Sequence, residues 1–157
     1  MVNVLCLKVV STKQARIGVY AGSFQPFHRG HLNIVQKAAL LFERVIVARG
    51  LNPAKTDPQF HWPWPPALAD YETAEFSGLL TDYLKQLEQT SQVVLIRGLR
   101  NGDDLAYEVN QLRFMQQMKP DLKVIFLVCD SEFAHISSTA LRNLETIHAG
   151  LAAPYLP

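Results

Sequence analysis

His28-Arg29-Gly30-His31 places two imidazoles around a glycine, just ahead of an apolar repeat at Leu32, Val35, Ala38, Ala39 and Phe42. Steps of three and four residues give a helix one buried face. The start of such a helix offers free N–H groups and a partial positive charge to a phosphate. Gly30 lets the backbone come close to a ligand. A histidine there can donate a hydrogen bond to a phosphoryl oxygen as charge builds up in a transition state. The plain alternative is that His28 and His31 only cap the helix. Zinc is disfavoured, because two histidines at this spacing straddle a turn and no third ligand is evident.

Three further stretches have the same chemical leaning. Arg97-Gly98-Leu99-Arg100 brings two guanidinium groups to the end of an apolar run, and Arg forks phosphate bidentately. The competing reading is a surface pair bonded to Asp103, Asp104 or Glu108. Ile136-Ser137-Ser138-Thr139 ahead of an apolar helix is chiefly an N-cap pattern. Capping and holding a triphosphate use the same N–H groups, so the two are compatible. Lys55, in Asn52-Pro53-Ala54-Lys55, reads as a solvated loop lysine when taken alone. No Ser or Cys stands where a neighbour would activate it, which argues against covalent catalysis.

These residues need strand ends and helix starts to position them, and the chain supplies both. Ile17 to Gly22, Val45 to Ala48, Gln92 to Ile96 and Lys123 to Val128 are apolar, β-branched runs expected of strands covered on both faces. Helices are expected from His31, over Asp103 to Met118 before Pro120, and from about Ser137 through Leu141, Leu144 and Ile147. Alternating strands and helices predict an α/β fold: a Rossmann-like, doubly wound parallel sheet of about five strands with helices on both faces. Ligands bind such sheets outside the carboxyl ends of the strands, where strand order reverses. The exception is Asn52 to Asp70, whose His61-Trp62-Pro63-Trp64-Pro65-Pro66 forbids a continuous helix and predicts an irregular loop with one helical turn at most. Trp62 and Trp64 are expected to pack over this region rather than to anchor a partner.

Length and composition bound the rest. At 157 residues the chain predicts one domain over 16–157, preceded by an extension over 1–15 that is an edge strand or a frayed leader. With 48% hydrophobic and 18% charged residues and a mean hydropathy of +0.03, it is neither a disordered tail nor a membrane protein. Fifteen Lys and Arg against fourteen Asp and Glu give a formal charge of +1, without the basic excess of a nucleic-acid-binding domain. Cys6 and Cys129 lack CxxC spacing and nearby histidine, so reduced thiols and a cytoplasmic location are expected, with no bound metal site. The apolar N-terminus lacks the pattern of a signal peptide.

Taken together, Gly22-Ser23-Phe24-Gln25-Pro26, His28-Arg29-Gly30-His31, Ile96-Arg97-Gly98-Leu99-Arg100 and Ile136-Ser137-Ser138-Thr139 resemble the HxGH nucleotidyltransferase superfamily. With Asn-Pro-x-Lys ending at Lys55 and with Asp104 to Tyr107-Glu108, the chain is most similar to the bacterial phosphopantetheine adenylyltransferase family, from about Arg16 onward. That resemblance implies transfer of the adenylyl group of ATP to 4′-phosphopantetheine, giving dephospho-coenzyme A and pyrophosphate. It implies His31 as stabiliser of the transition state, Ser23 and Lys55 on reacting phosphates, and Arg97 on the acceptor phosphate. Phe24, His28, Gly98, Leu99, Arg100, Glu108 and the run Phe133, Ala134, His135, Ile136, Ser137, Ser138 and Thr139 match nucleotide-contacting positions, and Leu80 one that lines the acceptor groove. It also implies Mg2+ on the ATP phosphates and a hexameric assembly. Ser23, Gln25 and His28 stand where the family commonly has Thr, Asp and Thr. Gln25, His28 and Arg142 look more like the nicotinamide-nucleotide adenylyltransferases. The alternatives are therefore a nicotinate or nicotinamide mononucleotide acceptor, or a nucleotide-binding homologue without catalysis.

Overall fold

The computed structural model describes residues 15–51 and 62–157. The expected N-terminal edge strand, Cys6 and Lys55 lie outside the described residues.

Five strands form one sheet: β1 (Arg16–Gly22), β2 (Arg44–Leu51), β3 (Glu72–Ser77), β4 (Gln92–Leu99) and β5 (Val124–Val128). Their order is β3-β2-β1-β4-β5 and every pairing is parallel. The order reverses between β1 and β4, so the cleft beside the carboxyl end of β1 is the place for a ligand. Connecting them are α1 (Arg29–Ala39), α2 (Leu80–Leu87), α3 (Gly102–Met118) and α4 (Ser138–Ile147).

Side chains alternate along each strand, and the two faces of the sheet build two cores. Tyr20, Val45, Val47 and Ile96 pack under Ile34, Val35 and Ala38 of α1. Ile17, Val19, Ala21, Ile46 and Leu95 pack on the opposite face with Leu84 of α2 and Met115 of α3. Helices thus cover both faces. The two central strands, β1 and β2, are buried along almost their whole length, which is why their sequences read as unbroken apolar runs.

Two features depart from expectation. Arg97, Gly98 and Leu99 lie within β4 and not in a loop after it, so the first arginine of that motif is held by the sheet ladder. Strand β5 is partly exposed from Val124 to Leu127 and open at Val128, whereas burial on both faces was expected. Among the described residues it pairs only with β4. The Trp/Pro stretch forms one 3₁₀ turn, Pro66–Leu68, and leads into β3.

At Gly18 an added Cβ would stand 2.6 Å from Ile96 Cδ1 and 2.7 Å from Phe42 Cδ2. Gly18→Ala should therefore destabilise the fold by about 2 kcal/mol through overpacking. A lower urea midpoint at unchanged denaturant slope is the expected readout.

Candidate active site

His28 is the N-cap of α1 and His31 is its third helical residue, and the two cap each other. The His31 backbone N–H donates to His28 Nδ1 at 3.4 Å, while the His28 backbone N–H donates to His31 Nδ1 at 3.2 Å. The rings stack at 3.6 Å between centroids. Capping, the plain alternative of the sequence reading, is thus present. It also has a chemical consequence. An Nδ1 that accepts carries no proton, so the proton of neutral His31 sits on Nε2, which is left as a donor. Burial, the neighbouring His28 and the Arg100 guanidinium hold the His31 imidazole well below its ordinary value of 6.5. His28, only 4% exposed, is pushed down to about 4, mainly by burial. Both rings are neutral at pH 7.

The loop before α1 is fixed from several sides. Phe24 has a φ of 49°, unusual for a residue with a side chain. Its ring packs on Tyr20, Phe27, His31 and Trp64, at centroid distances of 5.1, 5.3, 5.0 and 6.0 Å. Trp64 therefore packs over this loop. From the far side, α4 clamps the loop: Ser138 Oγ donates to the Pro26 carbonyl at 2.9 Å, and Arg142 Nη1 donates to the Gln25 carbonyl.

At the end of β4, Arg97 Nη1 donates to the Ala21 carbonyl at 2.9 Å. Arg97 Nε lies 3.0 Å from Glu108 Oε2, poorly aligned for a hydrogen bond. Asp104 takes three bonds from Arg100: from its backbone N–H at 2.8 Å, from Nε at 2.8 Å and from Nη2 at 2.6 Å. That pairing holds the Asp104 carboxyl below its usual range. The competing reading of the arginines as partners of Asp104 and Glu108 is therefore realised in the ligand-free arrangement. Neither arginine is withdrawn from the cleft by it, since both line cavities.

Two neighbouring cavities open here. The larger, about 390 Å³, is lined by His28, His31, Gly98, Leu99, Arg100, Glu108, Ile136, Ser137 and Ser138 among others. The smaller, about 200 Å³, is lined by Ser23, Phe24, His31, Arg97, Gly98, Glu108 and Ser138 with Gly22 and Tyr20. Tyr20, His31, Gly98, Glu108 and Ser138 border both. Gly98 can only be small, because a Cβ there would stand 2.9 Å from Tyr20 Oη and 3.0 Å from Ile34 Cγ1.

The other described candidates lie outside both cavities. Leu80 is on α2 and packs with the core of the opposite face. Phe133 and Ala134 pack against the core under α1. The His135 ring lies beside Tyr155 at 6.0 Å, and Thr139 Oγ1 accepts from Arg142 Nη2 at 3.2 Å. Sequence reasoning assigned neither Tyr20 nor Cys129 to a site, and both line the larger cavity. Tyr20 is indistinguishable from a core residue in an apolar strand. Asp104 was visible as the residue four places after Arg100.

A parallel sheet with a cleft at its reversal point, a neutral histidine donor at a helix start and two arginines at a strand end define a protein of the nucleotidyltransferase class. The comparisons agree. The Cytidylyltransferase-like family model matches residues 19–63. A phosphopantetheine adenylyltransferase of Actinobacillus pleuropneumoniae serotype 5b (strain L20) is 35% identical over 147 residues, which span 88% of this chain and 90% of that one. Another, from Thioalkalivibrio sulfidiphilus (strain HL-EbGR7), is 37% identical over 139 residues, 83% of this chain and 85% of that one. The chain belongs to the phosphopantetheine adenylyltransferase family. Its fold is also that of a putative nicotinate-nucleotide adenylyltransferase from Vibrio parahaemolyticus, with a TM-score of 0.58 at 14% identity, covering 90% of this chain and 93% of that one.

Proposed function

We propose that this chain transfers the adenylyl group of ATP to 4′-phosphopantetheine, giving dephospho-coenzyme A and pyrophosphate. The observation that carries the reading is His31, a neutral donor on the border between the two cavities, in a chain of this family. The larger cavity, with Gly98, Leu99, Arg100 and the Ile136–Ser138 turn, takes ATP. The smaller, with Ser23 and Arg97, takes the acceptor phosphate, and Lys55 is assigned to a reacting phosphate by the family resemblance alone. A phosphate oxygen of the acceptor attacks the α-phosphorus. The bond from that phosphorus to the bridging oxygen breaks, and its electron pair leaves with pyrophosphate. His31 Nε2–H bonds the α-phosphoryl oxygen as charge accumulates, so the enzyme acts by positioning and charge stabilisation.

ATP enters as its Mg2+ complex. Among the described residues no cluster of His, Cys, Asp or Glu forms a cage for an ion, and the two carboxylates lining the larger cavity, Asp104 and Glu108, are engaged by arginines. Mg2+ brought in with the nucleotide would neutralise charge on its phosphates.

We read residues 16–157 as one catalytic unit, working in the cytoplasm and assembled as a homo-oligomer. No helix among the described residues is long and apolar enough to cross a membrane. In favour of assembly, α3 buries only Met115 and leaves Tyr107, Phe114 and Met118 exposed, an apolar surface of the kind that marks an interface.

Pyrophosphate release from Mg-ATP, measured in parallel with 4′-phosphopantetheine and nicotinate mononucleotide, tests the reading. Release with the first is expected. Release with the mononucleotide alone would replace it with the second reading, which His28 at the N-cap of α1 favours. Silence with both would leave a binding-only homologue.

A further inference from the structure

Strand β2 carries an arginine in an apolar row. Val45 and Val47, on the same face, are core residues, and Arg49 beside them is only 5% exposed. Its guanidinium lies 3.9 Å over the Trp64 ring. Its Nη1 reaches Glu75 Oε1 at 3.4 Å, a half-exposed carboxylate on β3. Among the described residues, Nε and Nη2 have no hydrogen-bond partner. These two nitrogens form one edge of the guanidinium, with parallel N–H bonds spaced for two oxygens of a carboxylate or phosphate. A buried donor pair left unmet is costly, and a charged one more so. Such a group in a native protein calls for an explanation.

Its place in the fold supplies one. Arg49 is paired in register with Gly22, which lines the smaller cavity with Ser23, His31 and Arg97. Trp64 beneath it packs on Phe24 and Phe27, and both of those pack on His31. The nucleotide-side residues, Gly98 to Arg100 and Ile136 to Ser138, come from β4 and the start of α4. Arg49 lies on the opposite side of β1, on β2, where its register partner Gly22 is a wall of the smaller cavity given above to the acceptor.

We propose that Arg49 recognises the acceptor: its free Nε–Nη2 edge grips a two-oxygen anionic group of the molecule that receives the adenylyl group. This rests on the adenylyl-transfer reading above. The anion is the acceptor phosphate or, with nicotinate mononucleotide as acceptor, its ring carboxylate.

The test is calorimetric binding of four compounds to the intact protein and to Arg49→Lys and Arg49→Met: 4′-phosphopantetheine, pantetheine, nicotinate mononucleotide and nicotinamide mononucleotide, with Mg-ATP as control. Lysine keeps the charge and loses the fork. Methionine keeps the stem over Trp64 and loses both. Binding of phosphate-bearing acceptor is expected to weaken at least tenfold in both variants, with pantetheine and Mg-ATP unchanged. An equal loss for the two mononucleotides assigns the fork to phosphate, and a greater loss for the nicotinate form assigns it to a carboxylate. Unchanged affinities throughout, or an equal loss for pantetheine and Mg-ATP, would overturn the inference and leave Arg49 a packing residue. Pyrophosphate release separates this from the broader reading. Turnover of 4′-phosphopantetheine with Arg49-independent binding sinks the inference alone. No such turnover, with Arg49-dependent binding of nicotinate mononucleotide, sinks the broader reading alone.

Discussion

Replacing His31 with alanine is expected to lower kcat by about 10²- to 10³-fold, the usual cost of removing one preorganised donor from a developing oxyanion. The KM for ATP should move only a few-fold, because the lost bond forms mainly in the transition state. Folding should survive. His28 still accepts from the backbone N–H at position 31, and only its own N–H loses a partner, a loss of about 1 kcal/mol. Since the imidazole is neutral well below pH 6.5, its donor proton on Nε2 is present throughout the neutral range. His31 should therefore impose no fall in kcat between pH 8 and pH 6.5. Turnover of the alanine variant within a few-fold of wild type would remove His31 from the chemistry.

Acid should unfold this protein through the same pair of rings. His28 titrates at about 4 in the folded state against 6.5 as a free side chain, so between these values the unfolded chain binds more protons than the folded one. Stability is then complete above pH 6.5 and drains away as pH falls towards 4. For His28 alone the loss is on the order of 3 kcal/mol, and His31 is displaced in the same direction. The depressed carboxyls, such as Asp104 and Asp130, begin to contribute only below their ordinary value of 3.8, so the higher window belongs to the histidines. Urea midpoints at pH 7 and pH 4.5 should show the drop. His28→Ser, which keeps an N-cap oxygen for position 31, should flatten it. A wild-type midpoint that stays level would contradict the neutral, reciprocally capped pair.

What was legible in the chain follows from burial. Strands β1, β2 and β4 show through their apolar runs, Ile17 to Gly22, Val45 to Ala48 and Val93 to Ile96, because helices cover both of their faces. Strand β3, Glu-Thr-Ala-Glu-Phe-Ser, lies at the sheet edge and half in water, and its charges hide it from a search for apolar runs. Strand β5 looks as apolar as the others, yet among the described residues it pairs only with β4. Apolar content records which residues avoid water in the finished particle, not which neighbour covers them. In the site, His31 at the start of α1 and Arg97 near the carboxyl end of β4 were readable because such sheets bind ligands at those ends. Tyr20 and Arg49 were not, since a residue inside an apolar strand reveals its inward or outward aim only once the neighbouring strands are known. Leu80, His135 and Thr139, carried over by resemblance, lie outside the two cavities of the ligand-free arrangement.

The sheet order also dictates how the chain can fold as it is made. Strand β1 emerges early and acquires β2 and then β3 on one flank, but its other partner, β4, is paired through Tyr20 with Ile96 and arrives some 75 residues later. Until then a growing polypeptide exposes the open flank of β1, a ready template for pairing with another chain. A nascent chain stalled before residue 92 should be a strong client for chaperones. The same delay sets the order in which the cleft is completed. His31 is in place with the first half of the sheet, and the arginines of β4 close the opposite wall last.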